Sequence, residues 1–267
     1  MKIGSLFSGI GGLERGLEAS IPGAHTVWQV EQNEYARAVL AKHWPQAKRF
    51  QDVQEVGAHN LEPVDLICGG FPCQDISVAG KQAGIDGARS GLWSEYARII
   101  GELEPRYVVV ENVAALLAGG MGRVLGDLAA CGYDAVWDCI PAQAVGAHHR
   151  RDRLFIVAWS VLDPDSDGVR DRAERRQGGR LDVQGCRSPE PIHDGAQRPM
   201  ADAHRIQAFR SAISRGKPYI WKSEPDVDRV ATGVPRRVDR LRCLGNAVVP
   251  QVAEVIGRVV AELEGRQ

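Results

Sequence analysis

At 267 residues, 44% hydrophobic and 25% charged, the chain is long enough for one large α/β domain with a small appendage and has the usage of an ordinary soluble globular protein. No uninterrupted apolar run approaches the roughly 18 residues of a membrane span, which excludes a membrane protein. The opening Met1-Lys2-Ile3-Gly4-Ser5 lacks the apolar core and small-residue cleavage site of a secretory signal, so the expected location is the cytoplasm. The formal charge of −1 hides an asymmetry: residues 1–149 carry 11 Lys and Arg against 17 Asp and Glu, whereas residues 150–267 carry 22 against 17. The basic part suits a polyanion or a mixed-charge solvated surface, and charge alone does not choose.

The six cysteines form no C-x-x-C pair, which argues against a disulfide framework or a zinc ribbon. Cys68, Cys131, Cys139 and Cys243 are expected to be reduced and inert.

The first β-rich run, Lys2 to Phe7, leads into Leu6-Phe7-Ser8-Gly9-Ile10-Gly11-Gly12, where a strand should turn into a helix. Glycines there let backbone approach a ligand, and the helix N-terminus offers unpaired N–H groups, although tight packing alone would also use them. Glu14 stands where a dinucleotide fingerprint would have its third glycine. Glu31, however, ends the next run (Thr26 to Glu31), 20 residues after Gly11, where an acid can hold ribose hydroxyls. A nucleoside-containing cofactor is implied. A helix follows over Asn33 to His43. Asp52 then either accepts a hydrogen bond from an adenine amino group or caps a turn.

The strand Val64 to Cys68 runs into Gly69-Gly70-Phe71-Pro72-Cys73-Gln74. Ligands in open α/β sheets bind beyond the carboxyl ends of strands, so Cys73 departs from the inert default. Pro72 stiffens the turn that carries it. After a helix over Leu92 to Leu103, the apolar strand Tyr107 to Val110 ends at Glu111-Asn112-Val113, where partial desolvation would raise the carboxyl pKa towards that of a neutral-pH proton donor. A helix over Arg123 to Ala130 and a strand over Ala135 to Ile140 precede Arg151-Asp152-Arg153 and the strand Leu154 to Trp159. Alternation places Arg151 and Arg153 on one face of that strand, able to fork onto a polar edge or phosphate. Structural salt bridging competes for Glu111 and for both arginines.

From Asp163 to about Gly216 the chain is rich in Asp, Arg, Gly and Pro and lacks periodicity. Asp163-x-Asp165-x-Asp167-Gly168 with Glu174 matches a calcium-loop pattern, but a strand precedes it and Pro164 and Arg170 suit it poorly; His148-His149 lacks partners at ligand spacing, so no metal is expected. Tyr219 and Trp221 suit a small local core. After Pro250, Val252, Val255, Ile256, Val259, Val260 and Leu263 repeat at helical spacing and predict a helix packing back onto the first domain. The strand–helix alternation predicts a doubly wound, mostly parallel sheet.

In this order, Phe7-Ser8-Gly9-Ile10-Gly11-Gly12, Glu31, Asp52, Gly70-Phe71-Pro72-Cys73-Gln74, Glu111-Asn112-Val113, Arg151-x-Arg153 and Gly245-Asn246-Ala247-Val248 closely resemble the DNA cytosine-5 methyltransferases. The resemblance covers residues 1–160 and about 229–265. It implies a Rossmann-like S-adenosylmethionine-dependent methyltransferase of bacterial or phage type. The implied organisation is a catalytic and cofactor domain over 1–160, a target recognition region over 161–228 and a returning segment over 229–267. It further implies S-adenosyl-L-methionine held by Phe7, Gly9, Gly11, Glu31, Asp52, Pro72, Leu92, Asn246 and Val248. Cys73 is implied as nucleophile, Glu111 as partner of cytosine N3, Arg151 and Arg153 near O2, and Gln74 and Arg89 at the DNA. Double-stranded DNA is the implied substrate, with the base flipped out. The protein is expected to be a monomer whose cognate restriction endonuclease, if one exists, is a functional partner only. Two positions depart from the family: Ser5 replaces its usual Asp and His149 its usual Gln. An RNA cytosine methyltransferase, a catalytically weak DNA-binding relative and a nicotinamide oxidoreductase are the competing readings; the last leaves Cys73, Glu111 and the arginines without a role.

Overall fold

The computed structural model describes residues 1–72, 91–161 and 235–265. Its strands are β1 (Lys2–Leu6), β2 (His25–Val30), β3 (Lys48–Phe50), β4 (Leu66–Gly69), β5 (Tyr107–Val113), β6 (Tyr133–Pro141) and β7 (Asp152–Ser160). They form one sheet in the order β3-β2-β1-β4-β5-β7-β6. The first five are parallel, and β7 pairs antiparallel with both β5 and β6. The chain builds β2 and β3 on one side of β1, then crosses to place β4 and β5 on the other. A topological switch point therefore lies between β1 and β4, the place where open α/β sheets bind ligands.

Successive side chains on the central strands enter different cores, which is why these strands read as continuous apolar runs. Ile67, Val108 and Val110 join Trp93, Tyr96, Val124 and Leu128 on one face. Leu66, Cys68 and Val109 join Leu13, Leu17, Ile256 and Val260 on the other. The helices among the described residues are α1 (Gly12–Ser20), α2 (Glu34–His43), α3 (Leu92–Leu103), α4 (Leu116–Gly119), α5 (Met121–Ala130), α6 (Arg237–Asn246) and α7 (Pro250–Glu264); α3, α4 and α5 cover one face of the sheet, and α1 and α7 the other.

Helix α7 begins with Pro at its first position, where the missing N–H costs nothing. Its stripe Val252, Val255, Ile256, Val259, Val260 and Leu263 is buried, each side chain contributing about 1.5–3 kcal/mol relative to exposure. The packing against α1 is close because Gly16 carries no side chain: a Cβ there would lie 2.3 Å from the Pro250 carbonyl oxygen and 2.4 Å from Ala253 Cβ. The helical stretch Arg237–Glu264 is long and apolar enough to be compared with a membrane span. It is broken at residues 247–249, however, and its apolar half is buried on α1, as in a core helix.

The three-residue β3 carries no apolar alternation and escapes a periodicity reading. Strand β5 extends three residues past its expected end because Glu111, Asn112 and Val113 pair with Phe155, Leu154 and Arg153. Cys68, Cys139 and Cys243 are free thiols. Cys131 is disulfide-bonded, which corrects the expectation that it is reduced.

Candidate active site

Two turns meet at the switch point. After β1 the chain passes through Phe7, Gly9 and Gly11 with φ of 55°, 56° and 84°, so the backbone curls left-handed and leads into α1. The curl aims the Gly9 amide at Glu31, whose Oε2 accepts from it at 2.7 Å, while Glu31 Oε1 accepts from the Asn33 amide at 2.8 Å. Glu31 thus joins the glycine turn to the start of α2, and each oxygen keeps a second lone pair for a ligand hydroxyl. Asp52 is indeed a cap: it precedes the short 3₁₀ turn Val53–Glu55 and accepts from the Gln54 amide at 2.9 Å.

After β4, Gly69 and Gly70 lead to Phe71 and Pro72. A Cβ at Gly70 would lie 2.6 Å from Glu111 Oε2, so glycine is required for the carboxyl to stand where it does. Asn112 Nδ2 donates to the Phe71 carbonyl at 3.2 Å, and Asn112 Oδ1 accepts from the Val113 amide at 2.8 Å. The end of β5 is thereby tied to the turn that precedes Cys73. Beneath both turns runs a relay of tilted rings, Phe7 to Tyr96 to Trp93 to Phe71, with centroids 6.2, 5.5 and 5.1 Å apart. Trp93 and Tyr96 are pinned by their polar atoms, Nε1 to Asp127 at 2.8 Å and the hydroxyl to the Val109 carbonyl at 3.1 Å.

Glu111 is 8% exposed. Burial pushes its carboxyl up to about 7, against the opposing pull of the Arg153 and Arg151 charges. Arg153, a diagonal neighbour across the β5–β7 ladder, reaches it with Nε at 3.0 Å from Oε1. Desolvation outweighs the ion pair, so near neutrality the carboxyl exists in both forms and can give or take a proton.

Arg151 does not share a strand face with Arg153. It precedes β7 at φ 37°, and its guanidinium donates to the carbonyls of Gly245 and Ala247 at 2.8 and 2.5 Å. Alternation misplaces it because the strand begins one residue later, at Asp152.

One cavity of about 950 Å³ joins these parts. Its lining includes Phe7, Gly9, Glu31 and Asp52 at one end, Pro72, Glu111 and Arg153 at the other, and Leu92 and Asn246 besides. Gly11, Val248 and Arg151 are not in its lining. Gly11 caps α1 against Trp44, and the Val248 carbonyl packs on Gly12. Cys73, Gln74 and Arg89 lie outside the described residues, as does the recognition region expected over 161–228 apart from Val161. Among the described residues no three His, Cys, Asp or Glu side chains group as a metal site.

Sequence reasoning misses the floor of the glycine turn. Glu14 on α1 is fully buried, and burial pushes its carboxyl up to about 7, with Ser5, Ser8 and Gln29 opposing. Ser5 bonds Ser8 through their hydroxyls at 2.8 Å, so Ser5 belongs to a buried polar cluster under the turn. The available signal is the position of Glu14 between the buried Leu13 and Leu17 of α1.

The family model for C-5 cytosine-specific DNA methylase matches residues 1–173. The Type II methyltransferase M2.BsuMI of Bacillus subtilis is 38% identical over 172 residues, covering 61% of this chain and 43% of that protein. A prophage-encoded DNA modification methyltransferase of E. coli, known from a crystal structure, is 27% identical with a TM-score of 0.51 over 60% of this chain and 47% of that one. The Entamoeba histolytica methyltransferase EhMeth superposes over 98% of each chain with a TM-score of 0.61 at 13% identity, a likeness of fold. The chain spans about half the length of the curated relatives it matches. The matched stretch contains the two turns and the Glu111–Arg153 pair, and it makes up well over half of the chain, which therefore belongs to the C-5 cytosine-specific DNA methylase family.

Proposed function

We propose that the protein transfers a methyl group from S-adenosylmethionine to carbon 5 of a cytosine flipped out of double-stranded DNA at a specific sequence. The observation that carries this reading is the single cavity whose one end is the glycine turn with Glu31 and whose other end is the Pro72 turn with Glu111 and Arg153. Such a cavity brings a nucleoside cofactor and a planar base within reach of each other.

The residues present fit the cofactor. Glu31 offers lone pairs to ribose hydroxyls and Asp52 lies beside the cavity with an acceptor for an adenine amino group. Phe7, Gly9, Pro72, Leu92 and Asn246 complete the enclosure, while Gly11 and Val248 act by shaping the turn and its cover. When bound, S-adenosylmethionine supplies the electrophilic methyl that carbon 5 accepts.

Carbon 5 of cytosine is a weak nucleophile, and the chain's own groups raise its electron density. The Cys73 thiolate forms a bond to carbon 6, Glu111 places a proton on ring N3, and the ring becomes an enamine. Arg153 restrains the Glu111 carboxyl and presents its remaining donors to the base edge. After carbon 5 has accepted the methyl, its proton is lost to a base, the Cys73–carbon 6 bond breaks to give back the thiolate, and the N3 proton returns to Glu111, which restores the neutral aromatic ring. Flipping the base costs about a few kcal/mol, offset by contacts in the cavity. Gln74 and Arg89 serve the DNA side of the site.

Bisulfite sequencing of plasmid DNA from cells expressing the protein tests this reading. It predicts protected cytosines confined to one sequence context; DNA with no protected cytosine, alongside methyl transfer to RNA in vitro, would reject it in favour of an RNA cytosine methyltransferase. The cofactor assignment has its own check. Glu31→Ala should weaken S-adenosylmethionine binding by about 1–3 kcal/mol, the scale of lost charge-assisted hydrogen bonds, with DNA affinity retained. Unchanged cofactor affinity by calorimetry would remove Glu31 from the ribose site.

A further inference from the structure

Arg151 holds a left-handed backbone, φ 37°, which a residue with a side chain adopts only where its surroundings demand it. Its two terminal nitrogens span the chain on either side of Asn246: Nη1 donates to the Gly245 carbonyl at 2.8 Å and Nη2 to the Ala247 carbonyl at 2.5 Å. Gly245 belongs to the last turn of α6, where carbonyls lack intrahelical donors and the helix dipole is negative, so a guanidinium is the matching partner.

The fork matters because, among the described residues, little else fixes this stretch. Helix α6 buries none of its residues among those described, and its apolar side chains Val238, Leu241 and Leu244 are 79%, 59% and 63% exposed. Downstream, the Val248 carbonyl is seated on Gly12 and α7 is packed on α1. Asn246, which lines the cavity, falls between the loosely held helix and the firmly held one. Arg151 is also close enough to Glu111 and Arg153 for their charges to act on it.

We propose that Arg151 is a positioning residue that clamps the carbonyls flanking Asn246, closing the cofactor side of the cavity from the strand end that carries the Glu111–Arg153 pair, and that it does not contact the cytosine. This rests on the reading of the cavity as a site for S-adenosylmethionine. A lysine cannot replace the fork, since one ammonium on a flexible stem does not present two fixed donors to two carbonyls.

The test compares Arg151→Ala and Arg151→Lys with Arg150→Ala. The last removes an equal charge next door, where Arg150 is exposed and pairs with Asp152. For both Arg151 variants the KM for S-adenosylmethionine should rise about tenfold or more, within the range of site-to-site couplings, while kcat at saturating cofactor stays within about threefold. Arg150→Ala should leave both unchanged. An arginine that contacts the base would give the opposite split, a fallen kcat with an unchanged KM for the cofactor, and that result would overturn the proposal. Hydrogen exchange without cofactor supplies a separate reading: peptides covering 243–249 should exchange faster in both Arg151 variants, and unchanged exchange would also overturn it. If the wild-type protein binds no S-adenosylmethionine, the cofactor reading falls, and the exchange result alone decides whether the clamp exists.

Discussion

Cys73→Ser should reduce methyl transfer below detection while leaving S-adenosylmethionine affinity within about twofold of wild type. The turn that presents residue 73 is fixed from behind by Pro72, by the Asn112 bond to the Phe71 carbonyl and by the Phe71–Trp93 contact, none of which involves the sulfur. The substitution therefore exchanges the proposed nucleophile and leaves these contacts of residues 71, 72 and 112 in place. A hydroxyl is almost wholly protonated at neutral pH and far less nucleophilic than a thiolate, so addition to carbon 6 stops. Single-turnover transfer of labelled methyl to DNA, measured with calorimetry of the cofactor, checks both halves. Retained transfer by Cys73→Ser would mean that another group attacks carbon 6.

Glu111→Gln should lower the single-turnover rate by about 10²–10⁴-fold, the contribution of a positioned general acid, with cofactor and DNA binding constants changed by less than about threefold. Glutamine keeps a donor near Arg153 and removes the transferable proton. The pH dependence follows from the direction of the shift. Burial raises the Glu111 carboxyl to about 7, so the protonated form required at N3 is present below that pH and is lost as pH rises through it. Every other ionisation that affects the rate is common to both proteins and cancels in their ratio. The ratio of wild-type to Glu111→Gln rates should therefore fall as pH rises through about 7. A ratio that stays flat from pH 6 to 8.5 would show that Glu111 does not supply the proton.

Much of the fold is legible in the sequence because the central strands are buried on both faces, and short, continuously apolar runs such as Tyr107–Val110 and Leu154–Trp159 suit a strand covered on both sides. Helix α3 is bounded at Leu92 and Leu103 by its apolar periodicity alone. The glycine turn, Glu31 and Glu111 are legible for a related reason: each stands at a strand end, where the sequence changes abruptly from apolar to Gly or acid. What escapes depends on tertiary partners far away in the chain. Alternation puts Arg151 on a strand face, yet its partners Gly245 and Ala247 lie more than 90 residues later. Glu14 reads in the sequence only as an interruption of a glycine pattern, although Ser5, Ser8 and Gln29 enclose it from β1, the turn and β2. Asp52 illustrates a residue whose two readings are compatible: it caps the 3₁₀ turn with one oxygen and lines the cavity as well. The burial that encloses the ion pair of Glu111 and Arg153 also lifts the carboxyl towards neutrality, which is the property the proposed base-side role requires.

The central claim is that the cavity activates cytosine through a covalent bond to Cys73. Duplex DNA containing 5-fluorocytosine at the protected site traps that bond, because the carbon-5 fluorine cannot leave as a proton does. Incubation with S-adenosylmethionine, digestion and mass spectrometry of the peptide that carries Cys73 should show the nucleotide adduct on that residue, and none in Cys73→Ala. An adduct mapped to another residue, or equal adduct formation by Cys73→Ala, would contradict the account.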